Sequence, residues 1–593
     1  MTADRCAQTA ATIAIIGSGP GAVYALAHLL GGPDPLAIDL FEAGPVAGVG
    51  MPYNAQRNSP AMLANIASVE LPPVRQTLLD WLTGLPTARL DDWGITPAML
   101  NEREFFPRVV LGAYFQHELA ALVAQAPQCG HRVRVRTLTP VLDVAGQPGS
   151  VFVRYATPGG LSQHAVYDYG VVVTGHQAPR RAERGPRPDR PYQLAGRGPV
   201  SGRLGILGSS LSAIDVAVAH ASALGAFVGE AADLRYVAND AAAAPAITML
   251  SRGGLLPEAD FYCPIPYLPL ELFTPAASAA CVADPAGGLD RLFELLRRQL
   301  TLSDPAYASG IELADATADD FAARYFKERQ TYLPFDWAAR NLAEVLVNQQ
   351  RASTVPWRYA LLRMHEQFGE LARRFTAEDL TRFNAGLKRC FVDNYAAVPP
   401  LSIARLLALH RAGMLSVKAV GADYKLSFIR GAGDAEDTWQ INAGAQHYTF
   451  DHLIDATGQG ALALEDFPFP TLRMQIRAGH DADLVGGQQT GDSARQEIAV
   501  EDDFVITRTL DDTSRIYLLS LPFLLRANPF IQGLTASAAI GETVAAAITA
   551  RIGSRHDQPR PDLRELIDGL AGTQPIFCVS GNAPIAVLER SAN

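Results

Sequence analysis

The sequence predicts an α/β fold, because two strand–turn–helix units are visible in it and a largely helical segment follows the second. The first unit has a strand at 11–16, a glycine-rich turn at 17–22 and a helix to residue 30, and a second strand follows at 37–41. The second unit starts with a strand at 204–207 and a turn at 208–213. Alternating strands and helices of this kind predict parallel sheets.

The first turn has the pattern G-x-G-x-x-A, which is typical of a dinucleotide-binding turn. Gly17 permits the tight turn, Gly19 lets the backbone approach a pyrophosphate, and Ala22 lets helix and strand pack closely. The helix that follows would offer N–H groups and its positive dipole end to the phosphates. Glu42 ends the next strand and is placed to accept hydrogen bonds from a ribose 2′-OH. We therefore predict a Rossmann-like dinucleotide site rather than an ordinary tight turn.

The second turn differs at its middle position, where Ser210 replaces glycine. Serine keeps the backbone slightly further from a phosphate but offers a hydroxyl, which favours an exchangeable cofactor. Arg252 follows the next strand, at the position of an adenosine ribose, and a guanidinium there matches a 2′-phosphate. We therefore predict NADPH in preference to NADH. The alternative is that Arg252 forms an ordinary surface ion pair.

Composition limits the classes of function. With 593 residues, two or three domains are expected, and 48% hydrophobic with 19% charged residues is typical of a soluble globular protein. The net charge of −11, without a basic block, argues against nucleic acid or an anionic membrane as the partner. No apolar run is expected to cross a membrane, and no signal peptide is expected at the N-terminus.

The six cysteines are scattered without metal-ligand spacing or a C-x-x-C pair. They predict reduced thiols in a cytoplasmic protein, exclude a disulfide reductase and leave no predicted metal site. There is no G-x-S-x-G elbow and no P-loop, so hydrolase and NTPase functions have no support.

With both turns in view, the chain resembles bacterial FAD/NAD(P)-binding proteins with two dinucleotide sites, relatives of the class B flavin monooxygenases and amine N-hydroxylases. The resemblance covers roughly residues 11 to 550. It rests on the segments 17–22, 48–53, 63–73, 106–114, 173–176, 207–215, 250–257 and 529–542.

This resemblance implies FAD at the first turn, with Met51 and Asn65 near the isoalloxazine, and NADPH at the second turn and Arg252. The turns Thr174-Gly175 and Thr457-Gly458 would reverse the chain beside a dinucleotide, and the helix after 528–535 would point its N-terminus at the flavin. The residues predicted to bind the cofactors are Gly17, Gly19, Pro20, Gly21, Ala22, Glu42, Gly50, Met51, Asn65, Thr174, Gly175, His176, Gly208, Ser209, Ser210, Ser212, Arg252, Gly458, Gln532, Gly533 and Leu534.

The predicted domains are an FAD-binding domain begun at 11–200, an NADPH-binding domain at 201–283, a helical insertion at 284–400, a return to the FAD domain at 401–555 and a tail at 556–593. The predicted function is an FAD-dependent, NADPH-oxidising monooxygenase that uses molecular oxygen on a small amine or amino acid. No catalytic side chain is assigned. The alternatives are a reductase or dehydrogenase with another electron acceptor, and a nucleotide-binding protein without catalysis.

Overall fold

The computed structural model describes residues 10–177, 179, 186–191, 198–230, 233–240, 246–431, 436–485, 496–507 and 515–554. The predicted tail at 556–593 lies outside these residues.

The first domain begins with a parallel sheet whose central strand is buried on both faces. In β1, Ile13, Ala14 and Ile15 have no exposed surface, as expected for a strand covered by helices on both sides. Its elements are β1 (Ala11–Ile16), α1 (Pro20–Leu30), β2 (Leu36–Phe41), α2 (Leu78–Thr83), α3 (Thr87–Asp91), α4 (Arg108–Gln125), β3 (Arg132–Arg136), β4 (Val141–Gln147), β5 (Ser150–Ala156), β6 (Ser162–Tyr167) and β7 (Tyr169–Val172).

The second domain opens in the same way, with β8 (Arg203–Leu207), α5 (Leu211–Leu224), β9 (Gly225–Val228), β10 (Arg235–Ala238) and β11 (Ala246–Ser251). Strand β11 lies parallel to β8, with Ile247 opposite Leu204.

A helical region follows and has its own apolar core. Its helices are α6 (Pro275–Cys281), α7 (Gly288–Ser303), α8 (Pro305–Gly310), α9 (Phe321–Lys327), α11 (Pro356–Leu371), α12 (Ala377–Ala385) and α13 (Leu387–Tyr395). Two helices of the same stretch, α10 (Pro334–Arg351) and α14 (Pro400–Arg411), pack in the core of the second domain. Phe321, Phe368 and Phe383 are fully buried in that core. The helices thus begin before the predicted start at residue 284, because Thr274 caps a short Ala-rich helix through a hydrogen bond from the Ala277 N–H.

The chain then adds β12 (Leu415–Ala419), β13 (Lys425–Ile429), β14 (Thr438–Ala443), β15 (Gln446–Phe450) and β16 (His452–Asp455). It ends with α15 (Pro470–Val485), β17 (Ile516–Leu518), α16 (Leu521–Leu524) and α17 (Gly533–Gly553). The first parallel sheet has the order β17-β7-β1-β2-β3, and the second has the order β12-β11-β8-β16.

The predicted return to the FAD domain at residue 401 is wrong. Strands β12 and β16 pair with β11 and β8 in the second sheet, so the chain leaves the second domain only after Asp455. The first sheet is completed by β17, which pairs with β7. The sequence pattern shows that a strand exists but does not show which neighbour it pairs with.

The two domains share one plan that is larger than the two units visible in the sequence. Each has a strand, a helix and a parallel strand, later a helix (α4 or α14) and an outer strand (β3 or β12). An antiparallel sheet follows, β4-β5-β6 or β13-β14-β15, and a strand returns beside the first one (β7 or β16). In the second domain, helices α6 to α13 stand between β11 and α14.

Helix α17 is long and apolar enough to span a membrane, contrary to the expectation that no segment would be. In this fold the small residues of α17 allow it to pack closely on another helix. A Cβ built on Gly541 would lie 2.9 Å from the backbone nitrogen of Ala25, so α17 lies against α1 at close range. Small residues allow that approach.

Candidate functional site

The first glycine turn is held against the neighbouring strand. Gly17 has φ +104°, and a Cβ built on it would lie 2.1 Å from the carbonyl oxygen of Val173, which follows β7. The Gly17 N–H donates to the carbonyl of Phe41 at 2.9 Å. No residue with a side chain fits this position. The tight turn predicted from the sequence is therefore present.

A second glycine segment runs over this turn. A Cβ on Gly19 would lie 3.3 Å from the Cα of Gly50, and Gly50 itself has φ +64°. Helix α1 starts at Pro20, with Gly19 as its N-cap and Ala22 fully buried. Gly21 faces Val173 and Ser537, in the second turn of α17. This close backbone approach fits a pyrophosphate at the start of α1.

Glu42 lies at the end of β2, as predicted, and has two partners. The Ser18 hydroxyl donates to its Oε2 at 2.5 Å, and the Gly44 N–H donates to its Oε1 at 2.6 Å. These bonds fix the carboxylate beside the turn, and each oxygen keeps capacity for a further donor such as a ribose hydroxyl. The sequence pattern gave no role to Ser18.

The segment predicted to face the isoalloxazine carries an unpartnered amide. Asn65 Oδ1 is buried without a hydrogen-bond partner among the described residues, and Met51 is fixed through its carbonyl by Asn58 Nδ2 at 3.1 Å. Leu63 forms a bridge with Pro107 at the start of α4. A buried amide oxygen without a donor is costly. It therefore fits a bound group that donates to it.

The Thr174-Gly175 turn lies beside the first glycine turn. Thr174 N donates to Ser520 Oγ at 2.9 Å, and the two hydroxyls are also 2.9 Å apart. Ser520 is completely buried after β17, and its role was not predicted from the sequence. Gly175 has φ +67°, and a Cβ built on it would meet no atom within 4 Å. The turn therefore presents backbone, not side chains, at this edge of the sheet.

The second turn repeats the first. Gly208 has φ +112°, and a Cβ built on it would lie 2.6 Å from the carbonyl oxygen of Ala456, which follows β16. Gly458, in the second Thr-Gly turn, has φ +91°. Gly17 with Val173 and Gly208 with Ala456 are thus equivalent pairs. Gly458 consequently lies beside the second turn rather than the first.

The serines of the second turn are placed differently from one another. Ser210 is exposed and is the N-cap of α5, while Ser212 is half-buried in its first turn. The Ser209 hydroxyl donates to the carbonyl of Leu255 at 2.6 Å, so only its backbone is left for a phosphate. Arg252 follows β11 directly, as Glu42 follows β2, and it is exposed.

The N-terminus of α17 meets the helical region. Gln532 is its N-cap, Gly533 has φ +77°, and Leu534 is buried. The Gln532 amide donates to the hydroxyl of Tyr395, the last residue of α13, at 3.1 Å. The helical region therefore reaches the first domain beside the predicted flavin site.

The two domains meet at a seam beside the two Thr-Gly turns. The N–H of Gln177, after the first Thr-Gly turn, donates to the side chain of Gln459, after the second, at 3.2 Å. Elsewhere in the seam, Arg108 Nε lies 2.8 Å from Asp215 Oδ2. Burial raises the pKa of Asp215 to about 6, and the Arg108 cation limits that rise. Asp215 is an acidic residue among the buried apolar residues of its helix, and this pattern in the sequence could have indicated a buried ion pair.

His176 is close to Arg108. Its ring keeps exposed surface, yet the protein atoms around it and the Arg108 charge lower the pKa of His176 below its ordinary value. The imidazole is therefore neutral at pH 7.

Two arginines of helix α11 have acidic partners. Arg358 pairs with Glu258 at 3.2 Å and Glu344 at 2.9 Å, and Arg363 pairs with Glu366 at 2.9 Å. Burial together with the negative charge of Glu70 raises the pKa of Asp260 to about 8, against the opposite effect of Arg103. No metal-binding group of three or more His, Cys, Asp or Glu occurs within the described residues.

Comparison with known proteins agrees with this geometry. Residues 14–177 match the family model described as FAD-NAD(P)-binding, and residues 274–395 match the YdhS-like middle domain. The chain is 40% identical over 549 residues to the uncharacterized protein YdhS of Escherichia coli (strain K12), which covers 90% of this chain and 97% of the relative.

Solved structures give more distant likenesses. An ornithine N-hydroxylase of Kutzneria sp. 744, KtzI, has a TM-score of 0.48 and 14% identity over 92% of this chain and 99% of its own. The bacillithiol disulfide reductase Bdr (YpdA) of Bacillus cereus has a TM-score of 0.38 and 12% identity over 92% and 100%. The match at 14–177 confirms the predicted FAD/NAD(P)-binding class, and the chain belongs to the YdhS family.

Proposed function

We propose that the protein is an FAD-dependent, NADPH-oxidising oxidoreductase, and specifically a monooxygenase that N-hydroxylates a small amine or amino acid. The observation that carries the proposal is the pair of equivalent glycine turns, Gly17 against Val173 and Gly208 against Ala456, in two domains joined by the Gln177–Gln459 hydrogen bond. When bound, FAD would accept a hydride from NADPH, leaving NADP⁺, and would pass its electrons to dioxygen.

The first site would hold FAD. Gly17, Gly19 and the start of α1 would bind the pyrophosphate, and Glu42 would accept the ribose hydroxyls. Asn65 and Met51 would lie along the flavin ring, with Gly175 and the N-terminus of α17 at its edge. The dipole of α17 would favour negative charge there.

The second site would hold NADPH. Gly208 and the backbone at Ser209 and Ser210 would bind its pyrophosphate, and Arg252 would bind the 2′-phosphate. Because Ser210 is exposed at the N-terminus of α5, the site suits a cofactor that binds and leaves. The neutral imidazole of His176, near Arg108 in the seam, could donate or accept one hydrogen bond at the place where the two cofactors would meet.

Three measurements test the proposal on the purified full-length protein. Its visible spectrum should show bound flavin, and anaerobic NADPH should bleach it. In air, an amine that is a substrate should stimulate NADPH oxidation and gain one oxygen atom by mass, while hydrogen peroxide release falls. Flavin that bleaches and then reduces another acceptor, with no oxygenated product from a panel of amines and amino acids, would identify a reductase. A protein that binds no flavin on reconstitution would refute the proposal.

A further inference from the structure

We propose that Arg108 and Asp215 are a positioning pair that fixes the orientation of the two dinucleotide-binding domains, so that the nicotinamide meets the flavin at reacting distance. The inference rests on the proposed function. Neither residue was assigned to a cofactor, and neither needs to touch one for this role.

Each member of the pair belongs to a different domain and is fixed close to its cofactor site. Arg108 is the first residue of α4, and its N–H donates to the carbonyl of Met62 at 2.8 Å. It is therefore tied to the segment that carries Asn65. Asp215 lies in the second turn of α5, the helix that starts at the second glycine turn. The pair thus joins the flavin segment of one domain to the nicotinamide helix of the other.

Burial makes the pair orientation-specific. The Arg108 and Asp215 side chains are 11% and 7% exposed, and their atoms are 2.8 Å apart. In so little solvent, an ion pair tolerates few geometries, because separating its members leaves a buried charge without a partner. A rotation of one domain that shifted α5 away from α4 would leave the Asp215 carboxylate without its cation, beside buried apolar residues of its helix such as Ile214 and Val216.

A second set of contacts lies elsewhere along the seam. Gln177 N donates to Gln459 Oε1 at 3.2 Å, and Asp189 exchanges backbone hydrogen bonds with β16 through Leu453 at 3.0 Å and Asp455 at 2.8 Å. Two separate contacts resist rotation about either one alone. Of these contacts, the Arg108–Asp215 pair is the one made by side chains of both domains, so substitution can test it.

The variants Arg108→Gln, Asp215→Asn and the double variant test the pair, with Arg108→Lys and Asp215→Glu as conservative versions. The matched control is the buried pair Arg329–Asp393, whose atoms are 2.7 Å apart within the helical region. The first measurement is the rate of flavin reduction at saturating NADPH without oxygen, together with the Kd for NADPH and the flavin spectrum.

We expect each single variant to reduce its flavin about 100-fold more slowly, as a misplacement near 1 Å would cause, with the Kd for NADPH and the spectrum little changed. The double variant should be no slower than the single variants, because both remove one interaction. The conservative versions should recover part of the rate. Asp393→Asn should lower stability and leave the reduction rate unchanged.

The second measurement does not need turnover. Hydrogen–deuterium exchange on the FAD-loaded protein should rise in Asp215→Asn at the seam peptides around 174–177 and 207–215, and stay unchanged around β1 and α1. The proposal would be refuted by unchanged hydrogen–deuterium exchange or by unchanged rates of flavin reduction. It would also be refuted if the rate losses of the two single variants multiplied in the double variant. If wild-type flavin is not reduced by NADPH, the proposed function fails, and exchange alone decides whether the pair fixes the seam.

Discussion

The carboxylate of Glu42 accepts a hydrogen bond of 2.5 Å from the hydroxyl of Ser18, and this bond ties the end of β2 to the first glycine turn. The acid and the turn are therefore one unit rather than two separate parts of a fingerprint. The Gly44 N–H completes the arrangement from the other side.

Substitution of Glu42 and substitution of Ser18 should weaken FAD binding to different extents. Glu42→Ala removes the acceptor for the ribose and should cost about 1.5–3 kcal/mol of FAD affinity, the range for hydrogen bonds to a charged group. Ser18→Ala should cost less, because it only loosens the carboxylate. Titration of apoprotein with FAD measures both, with Asp91→Asn at the exposed end of α3 as the control. A Ser18→Ala variant weaker than Glu42→Ala would contradict this order.

Alanine at the first glycine of either turn should harm one cofactor selectively. Gly17→Ala combines strained backbone, about 1–3 kcal/mol, with a Cβ 2.1 Å from the Val173 carbonyl, so FAD should be lost. Gly208→Ala should instead raise the Kd for NADPH while flavin content is retained. Gly94→Ala is the control, since its φ is +68° but no atom lies within 4 Å of the added Cβ. Equal flavin loss from Gly208→Ala and Gly17→Ala would show that the sites are not separate.

Arg252→Ala should discriminate between the two nicotinamide cofactors. Loss of a guanidinium bound to the 2′-phosphate should lower kcat/KM for NADPH roughly 10–100-fold and change NADH little. The exposed Arg235→Ala on β10 serves as the control for loss of a positive charge. An equal loss with NADPH and NADH would refute the assignment of Arg252 to the phosphate.

The stability of the protein should carry a pH dependence from Asp260. Its pKa lies near 8 in the folded protein and near 3.8 in the unfolded chain, so the folded state holds the extra proton between those values and stability falls as pH rises. Asp260→Asn does not titrate. Its free energy of unfolding relative to wild type should therefore increase with pH, by at most about 1.4 kcal/mol per pH unit, which is the limit for a group that releases one proton.

Urea unfolding across this pH range measures that difference. Glu70→Gln should lower the upper limit of the pH range over which stability changes, because removing the neighbouring negative charge lowers the pKa of Asp260. A difference between Asp260→Asn and wild type that stays constant with pH would mean that the carboxyl is ionised in the folded protein.

Local features of both sites could be predicted from the sequence because they depend on short spacing. The turn at 17–22 and the turn at 208–213 each follow an apolar strand, and strand β2 ends one residue before Glu42, as the pattern predicted. Helix α17 is present as predicted but begins at Gly533, inside the segment 528–535 that was predicted as the turn before it. The residue types at these positions follow from backbone geometry, which a sequence displays directly.

Long-range features could not be predicted in the same way. Strand β12 pairs with β11 although helices α6 to α14 separate them in the chain, and no local pattern records that partner. The domain boundary at residue 401 was wrong for this reason. The bonds of Ser18 to Glu42, Thr174 to Ser520 and Arg108 to Asp215 likewise depend on the packing of distant segments.

The helices α6 to α13 are inserted between two elements of the second domain, β11 and α14. Tyr395, the last residue of α13, is nevertheless hydrogen-bonded to Gln532 of the first domain. The helical region is therefore continuous in the chain with the second domain and hydrogen-bonded to the first. A rotation of the second domain relative to the first would therefore also displace the helical region from the N-terminus of α17.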